Sequence, residues 1–405
     1  WVVSQPVTSH SFISQLGRAL AYPSTLAYNI TRYDMRYTPF DSNLYTGRAE
    51  PFEPLAQYWY QHIGAFACQK IALLGFACDQ GVNRNLGRIG AKHAPDAIKS
   101  AFGKLPISLD LVQNSDLSTL VGDLGNVICD DDDRIVKDSL EQTQQLYSEK
   151  VAEGVVKETL VIGLGGGHEI AWGSFLGLYQ GLQNQPLSNQ KLQNQELQSQ
   201  KLQNQELQNQ LLKNKELQQQ NHQKPAMSMP KIGIINFDAH FDLRQDEYAT
   251  SGTPFRQIAE FLSQKNEPFH YLPVGISKFS NSAALFCRAN TLGVNAISDD
   301  DCCRLPFSAI GQQLTAFMAG VDVLYLTVDM DCLSGSVMPA VSAPAAKGLS
   351  LEFVERCVEM IVATGKVKML DIAEINPTYD VDGRGVKVAG RLLAKIVQAH
   401  LSLQS

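Results

Sequence analysis

The chain has 405 residues, 44% of them hydrophobic and 19% charged, and carries a net charge of −7. That apolar fraction supplies a sizeable core and excludes disorder of the whole chain. The acidic balance, with no Lys/Arg-rich cluster, excludes the electrostatic footprint of a nucleic-acid binder. The longest apolar runs, such as Ile71–Cys78, fall far short of the ~20 residues that span a bilayer. Eight cysteines stand at irregular positions with no CxxC pair, which reads as reduced thiols of a cytoplasmic protein.

Residues 1–69 read as an N-terminal extension packed on a catalytic domain of residues 70–405. From Lys70 onward, short β-branched runs alternate with helix-length segments. A first strand, Ile71–Ala77, is followed by a loop, Asp79–Lys92, and a helix, Pro95–Phe102. A helix over Asp133–Glu153 leads to a second strand, Thr159–Leu164, which runs into Gly163-Leu-Gly-Gly-Gly-His168-Glu169. Consecutive glycines let the backbone turn sharply and approach a ligand. No GK[ST] follows, so a phosphate loop is the weaker reading. A turn presenting His168 at a strand end fits better.

A helix over Ile170–Gly181 then meets a tract rich in Gln, Leu and Asn, residues 181–226. Leucine recurs every five residues from Leu182 to Leu217. On a helix such a step spirals around the axis and builds no single apolar stripe. The tract reads as a low-complexity insertion.

The third strand, Lys231–Phe237, leads into Asn236-Phe-Asp238-Ala-His240-Phe-Asp242-Leu-Arg244. Asp238, His240 and Asp242 alternate, so they share one side of an extended segment. Two carboxylates and an imidazole converging there are costly without a cation. Beyond a helix at Phe255–Gln264, a strand at His270–Ile276 and helices at Ser282–Arg288 and Phe307–Met318 comes the strand Val321–Val328. It ends in Asp329-Met-Asp331, again two carboxylates on one face. A helix, Leu351–Thr364, a strand, Val367–Ile375, and a helix, Val386–Leu403, close the chain. Strands that are apolar on both faces, separated by helices, imply a three-layer α/β/α fold with a mostly parallel sheet. Ligands of such sheets sit beyond the C-terminal strand ends.

His168, Asp238, His240, Asp242, Asp329 and Asp331 form a set of two imidazoles and four carboxylates. Oxygen-rich ligation without thiolate suits Mn²⁺, Fe²⁺ or Zn²⁺ more than Ca²⁺. Six ligands suit two ions ~3.5–4 Å apart with a shared activated water, so the implied reaction class is hydrolysis.

The motifs GGGHE, DAHFD and DMD, in this order, resemble the ureohydrolase (arginase/agmatinase) superfamily. Glu374, in Asp371-Ile-Ala-Glu-Ile-Asn-Pro377, is similar to that family's acidic residue facing a cationic amidine or guanidine. Four stretches resemble the formimidoylglutamase branch: Asp79–Lys92, Asp238–Arg244, Ser251–Phe255 and Val337–Pro344. Ser251–Phe255 contains no His, where arginases carry a catalytic one.

The resemblance implies an arginase-like fold, two Mn²⁺ per subunit (Fe²⁺ or Zn²⁺ being the alternatives) and a homo-oligomer. It implies that Asp238 and Asp329 bridge both ions, that His168 and Asp242 complete one site, and that His240 and Asp331 complete the other. Asp242 would also accept a hydrogen bond from the bridging hydroxide, and Glu374 would orient the amidinium. The implied reaction cleaves N-formimidoyl-L-glutamate to L-glutamate and formamide in histidine degradation. Another amidine or guanidine hydrolase, or a non-catalytic scaffold, is the alternative. A small substrate with two carboxylates favours arginine partners. The candidates are Arg244, Arg84 and Arg88, with Asn85 and Lys347 as further polar choices.

Overall fold

The computed structural model describes residues 36–129, 139–185 and 229–403. Arg36–Ser405 form one compact unit. Its centre is a ten-stranded sheet: β1 (Tyr37–Thr38), β2 (Gly64–Ala65), β3 (Ile71–Ala77), β4 (Val121–Ile128), β5 (Leu160–Gly165), β6 (Ile232–Phe237), β7 (His270–Ile276), β8 (Ile297–Ser298), β9 (Val323–Asp329) and β10 (Val367–Ala373). The spatial order is β1-β4-β3-β5-β10-β9-β6-β7-β8, with β2 also pairing with β4. The β1 pairing is antiparallel and all the others are parallel.

Alternation along each strand sends side chains to two separate cores. Leu73, Ile162, Ile235, Leu326 and Leu370 face one layer, which includes the helices Ala94–Gly103, Leu351–Val362 and Arg384–Leu401. Leu74, Val161, Ile234, Tyr325 and Met369 face the other, built by Ser139–Val156, the helix at 170–185 and Pro254–Gln264. Burial on both faces explains why these strands read as unbroken apolar runs. Three layers are the result, as expected from the sequence.

One long strand, second from the sheet edge, has no such run. In β4, Val-Gly-Asp-Leu-Gly-Asn-Val-Ile, Asp123 and Asn126 are buried polar residues. Lys99, itself fully buried, donates from Nζ to Asp123 Oδ1 (2.7 Å), Asn126 Oδ1 (2.8 Å) and the Gly125 carbonyl (3.0 Å). All three ammonium protons are satisfied, which makes the burial tolerable. Short helices at Gln80–Arg84, Leu109–Asn114 and Asp299–Arg304 were likewise unexpected.

Residues 36–69 belong to this unit and pack on its remainder: Trp59 stacks on Phe102 at 5.1 Å, and the Tyr45 hydroxyl donates to Asp123 Oδ2. Residues 1–35 are outside the described residues. The expected start of the insertion shifts, because residues 181–185 continue the preceding helix. Leu182 is buried there and Gln185 Nε2 donates to the Val155 carbonyl at 2.9 Å. The remainder of the Gln/Leu tract lies outside the described residues. Among the described residues no helix is long and apolar enough to cross a membrane.

Candidate metal centre and active site

The strands β5, β10, β9 and β6 are consecutive neighbours and mutually parallel, so their C-terminal ends share one edge. Each carries site residues just past that edge. The register pairs Phe237 with Val328 and Ala373 with Asp329. Asp238 and Glu374 therefore follow directly beside Asp329. His168 stands three residues beyond β5, after Gly166 and Gly167. A Cβ on Gly166 would lie 1.6 Å from the Cys78 carbonyl oxygen, so only glycine permits this turn.

Two groups of side chains converge. His168, Asp238, Asp242 and Asp329 form one, and Asp238, His240 and Asp331 the other, each with its ligand atoms within 4.8 Å of one another. His168 Nδ1 lies 2.9 Å from Asp242 Oδ2, 3.1 Å from Asp329 Oδ2 and 3.2 Å from Asp238 Oδ2. His240 Nδ1 lies 3.0 Å from Asp331 Oδ2 and 3.4 Å from Asp238 Oδ1. Asp238 thus turns one oxygen to each group. The three oxygens around His168 Nδ1 are close, yet none lies in hydrogen-bonding geometry to it. A ring nitrogen and three carboxylates aimed at a common point fit a divalent cation, and this donor set suits Mn²⁺, Fe²⁺ or Zn²⁺.

Supporting contacts hold these side chains. His168 Nε2 is 3.1 Å from Thr327 Oγ1, and Thr327 Oγ1 donates in turn to Asp371. Asn236 Nδ2 donates to Asp238 Oδ2 at 3.0 Å. Asn281 fastens the Asp238–Asp242 turn, accepting from the Phe241 N–H (3.0 Å) and donating to the Ala239 carbonyl (2.9 Å). Such outer contacts orient ligands and tune them.

Electrostatically the cluster is crowded. Burial pushes Asp242 up to about 6, helped by the neighbouring Asp238 carboxylate and opposed by His168. Burial, with Asp331 and Asp238, raises Asp329 well above the usual range. Burial alone would lower His240, but Asp331 and Asp238 drive it up to about 12. His168 is likewise raised by its three carboxylates against the effect of burial. Charge crowding of this kind is what a bound cation would relieve.

Glu374 lies beside this cluster. Its Oε1 accepts the His168 backbone N–H at 2.9 Å, while Oε2 is buried without a partner among the described residues. Burial first, then the Asp331 and Asp242 carboxylates, raise it to about 8, against the His168 contacts. Both Glu374 (φ 68°) and Asp242 (φ 48°) adopt left-handed backbone. Non-glycine residues pay for that conformation, and such strain concentrates at functional sites. A cavity of about 280 Å³ opens onto His168, His240, Asp242, Asp329, Asp331 and Glu374.

The profile described as the Arginase family matches residues 69–188 and 218–398. The chain belongs to the arginase family. It is 49% identical over 378 residues to a formimidoylglutamase of Psychrobacter cryohalolentis, covering 91% of this chain and 99% of that protein. A formimidoylglutamase of Ralstonia nicotianae is 36% identical, covering 89% and 96%. In structure, this arginase-family chain is similar to the formimidoylglutamase of Bacillus subtilis (TM-score 0.66, 21% identity, 87% of this chain and 94% of that one). It is also similar to a Trypanosoma cruzi formiminoglutamase solved with Mn²⁺ (TM-score 0.64, 21% identity, 85% and 98%).

The arginine expectations divide. Arg244 lines the cavity. Arg84 does not: it pairs with Glu141 at 2.7 Å and donates to the Ala249 carbonyl at 3.1 Å. Arg88 is also turned away, donating to the carbonyls of Ser342, Pro339 and Val341 and lying 4.4 Å over the Tyr379 ring. Both arginines fasten loops at the cavity mouth. Lys347 pairs with Asp300 at 2.5 Å and lines a neighbouring cavity that shares His240, Ser280 and Ala343 with this one, whereas Asn85 lines this one directly.

Sequence reasoning missed Ser280 and Asn281 of the cavity wall, which carry no local motif, and did not single out Ser342 within the Val337–Pro344 stretch. Asn236 and Thr327 had a signal. Each is a polar residue in an apolar strand, two positions before a metal-site Asp and so on its face.

Proposed function

We propose that the chain hydrolyses N-formimidoyl-L-glutamate to L-glutamate and formamide. Water adds its oxygen to the formimidoyl carbon, and the bond from that carbon to the glutamate nitrogen breaks. The observation that carries the reading is the convergence of six ligand side chains and a buried, half-unpartnered Glu374 at one sheet edge. Full-length relatives named formimidoylglutamase support it.

In this reading His168, Asp238, His240, Asp242, Asp329 and Asp331 would hold two Mn²⁺. Fe²⁺ or Zn²⁺ would be accepted by the same atoms. Bound there, the ions supply a water deprotonated near neutral pH and a Lewis acid for the developing charge. Asp242 accepts a hydrogen bond from the attacking water and thereby orients it. Glu374 uses Oε2 to pair with the amidinium N–H groups while Oε1 stays anchored on the His168 N–H. Ionised Glu374 and a cationic amidine neutralise each other in a buried place, which aligns the carbon to be attacked. The enzyme is a homo-oligomer acting in the cytoplasm on a small molecule.

A panel of formimidoylglutamate, a guanidino acid and a decarboxylated guanidine separates this reading from the rest of the superfamily. Formamide from the first substrate supports it. Urea from either guanidine, without formamide, assigns the chain to a guanidine hydrolase.

A further inference from the structure

Arg244 is the cavity's guanidinium, and among the described residues no carboxylate pairs with it. Its neighbours in the fold are committed: Arg84 to Glu141, Arg256 to Glu260 and Arg288 to the Leu243 carbonyl. Yet Arg244 is held with care. Its backbone N–H donates to the Gly252 carbonyl at 2.8 Å, and its own carbonyl accepts from Arg256 Nε at 2.7 Å. Its stem crosses Gly252, where a Cβ would sit 2.9 Å from Arg244 Cδ and 3.3 Å from Nε. At the tip, Nη1 donates to Asn85 Oδ1 at 3.2 Å, and Asn85 Nδ2 donates on to Ser251 Oγ at 3.1 Å.

An uncharged amide is a telling partner. It directs the guanidinium without neutralising it, and the remaining N–H donors keep a free fork. The cavity then has a carboxylate, Glu374, in its depth and an unpaired guanidinium at its exposed mouth. That polarity complements a ligand with an amidinium at one end and a carboxylate at the other.

We propose that Asn85 and Gly252 are positioning residues that aim Arg244 at the substrate carboxylate remote from the amidine, and so set selectivity for anionic over neutral-tailed amidines. The inference rests on the hydrolase reading above. Asn85 and Gly252 do not touch the reacting atoms, and their effect belongs in KM.

The test uses the full-length, metal-loaded protein with formimidoylglutamate and with its side-chain amide analogue. Asn85→Ala raises KM for formimidoylglutamate about tenfold with kcat within about twofold, as expected for one exposed charge-assisted contact. Asn85→Asp raises KM further, because the new carboxylate occupies the guanidinium fork. Neither variant changes kcat/KM for the amide analogue by more than about twofold. Gly252→Ala, which crowds the Arg244 stem from the other side, follows the same pattern.

A purely structural role for Asn85 would rank the isosteric Asp milder than Ala. That ranking overturns the inference, as does an unchanged KM or a parallel loss of kcat on both substrates. Failure of the unmodified enzyme to release formamide overturns the hydrolase reading and this inference together. A working enzyme indifferent to Asn85 and Gly252 overturns the inference alone.

Discussion

Glu374→Gln separates what the site costs from what it does. The substitution is isosteric, and the new amide oxygen can keep the 2.9 Å bond from the His168 N–H. What disappears is a carboxylate raised by burial from 4.5 to about 8. Because the folded state holds this proton more tightly, stability is full below about pH 4.5 and is lost as pH rises through about 8. At pH 7 the penalty is roughly 3 kcal/mol. The new amide donors enter a buried place without partners, which takes back about 1–2 kcal/mol. The chelator-treated Glu374→Gln variant should therefore be more stable than its parent at pH 7 by about 1–2 kcal/mol, cross it between about pH 5 and 6, and be the less stable of the two by roughly 1 kcal/mol near pH 4.5. Turnover should move the opposite way. Losing the buried charge pair with the amidinium removes about 3–4 kcal/mol of transition-state stabilisation, or roughly 10²–10³ in kcat/KM. Urea denaturation and formamide release measure the two effects. Activity within about threefold of the parent, or a metal-free variant less stable at pH 7, would refute the reasoning.

Three further outcomes follow from particular contacts. Asp242→Asn should lower kcat by at least ~10², with KM changed less than about threefold; full retained activity would remove Asp242 from the mechanism. Lys99→Met should cost about 3–5 kcal/mol in denaturation, since it strands Asp123 in the core, while turnover per folded molecule stays unchanged. Burial, then Lys368 and Lys70, lowers His400 to about 4. The unfolded chain therefore takes up this proton first, and stability falls as pH drops from about 6.5 toward 4. His400→Gln should flatten that limb by roughly 1–2 kcal/mol, allowing for partial exposure; a pH profile parallel to that of the parent would contradict it.

The parallel sheet was legible because β3, β5, β6 and β9 are buried on both faces and so must be apolar throughout. The metal cluster was legible for the complementary reason, since charged residues directly after such strands have no other ready explanation. β4 was not legible. Its polar residues are satisfied by Lys99, which lies 24 residues from Asp123 in the chain and on another element. The arginines fail on the same ground. A loop position shows that Arg84 is near the sheet edge, but its partner Glu141 is 57 residues away. Nothing local distinguishes Arg84 from Arg244, whose neighbour is a neutral amide. The uneven register of β3 and β4 between Leu73 and Gly75 also has no local sequence mark.

The most direct test of the central claim is turnover of formimidoylglutamate during Mn²⁺ titration of the chelator-treated protein, with bound metal counted at each step. Formamide and glutamate should appear in equal amounts, and the rate should saturate at two Mn²⁺ per chain. Full metal loading without formamide, or saturation of the rate at a single ion, would contradict it.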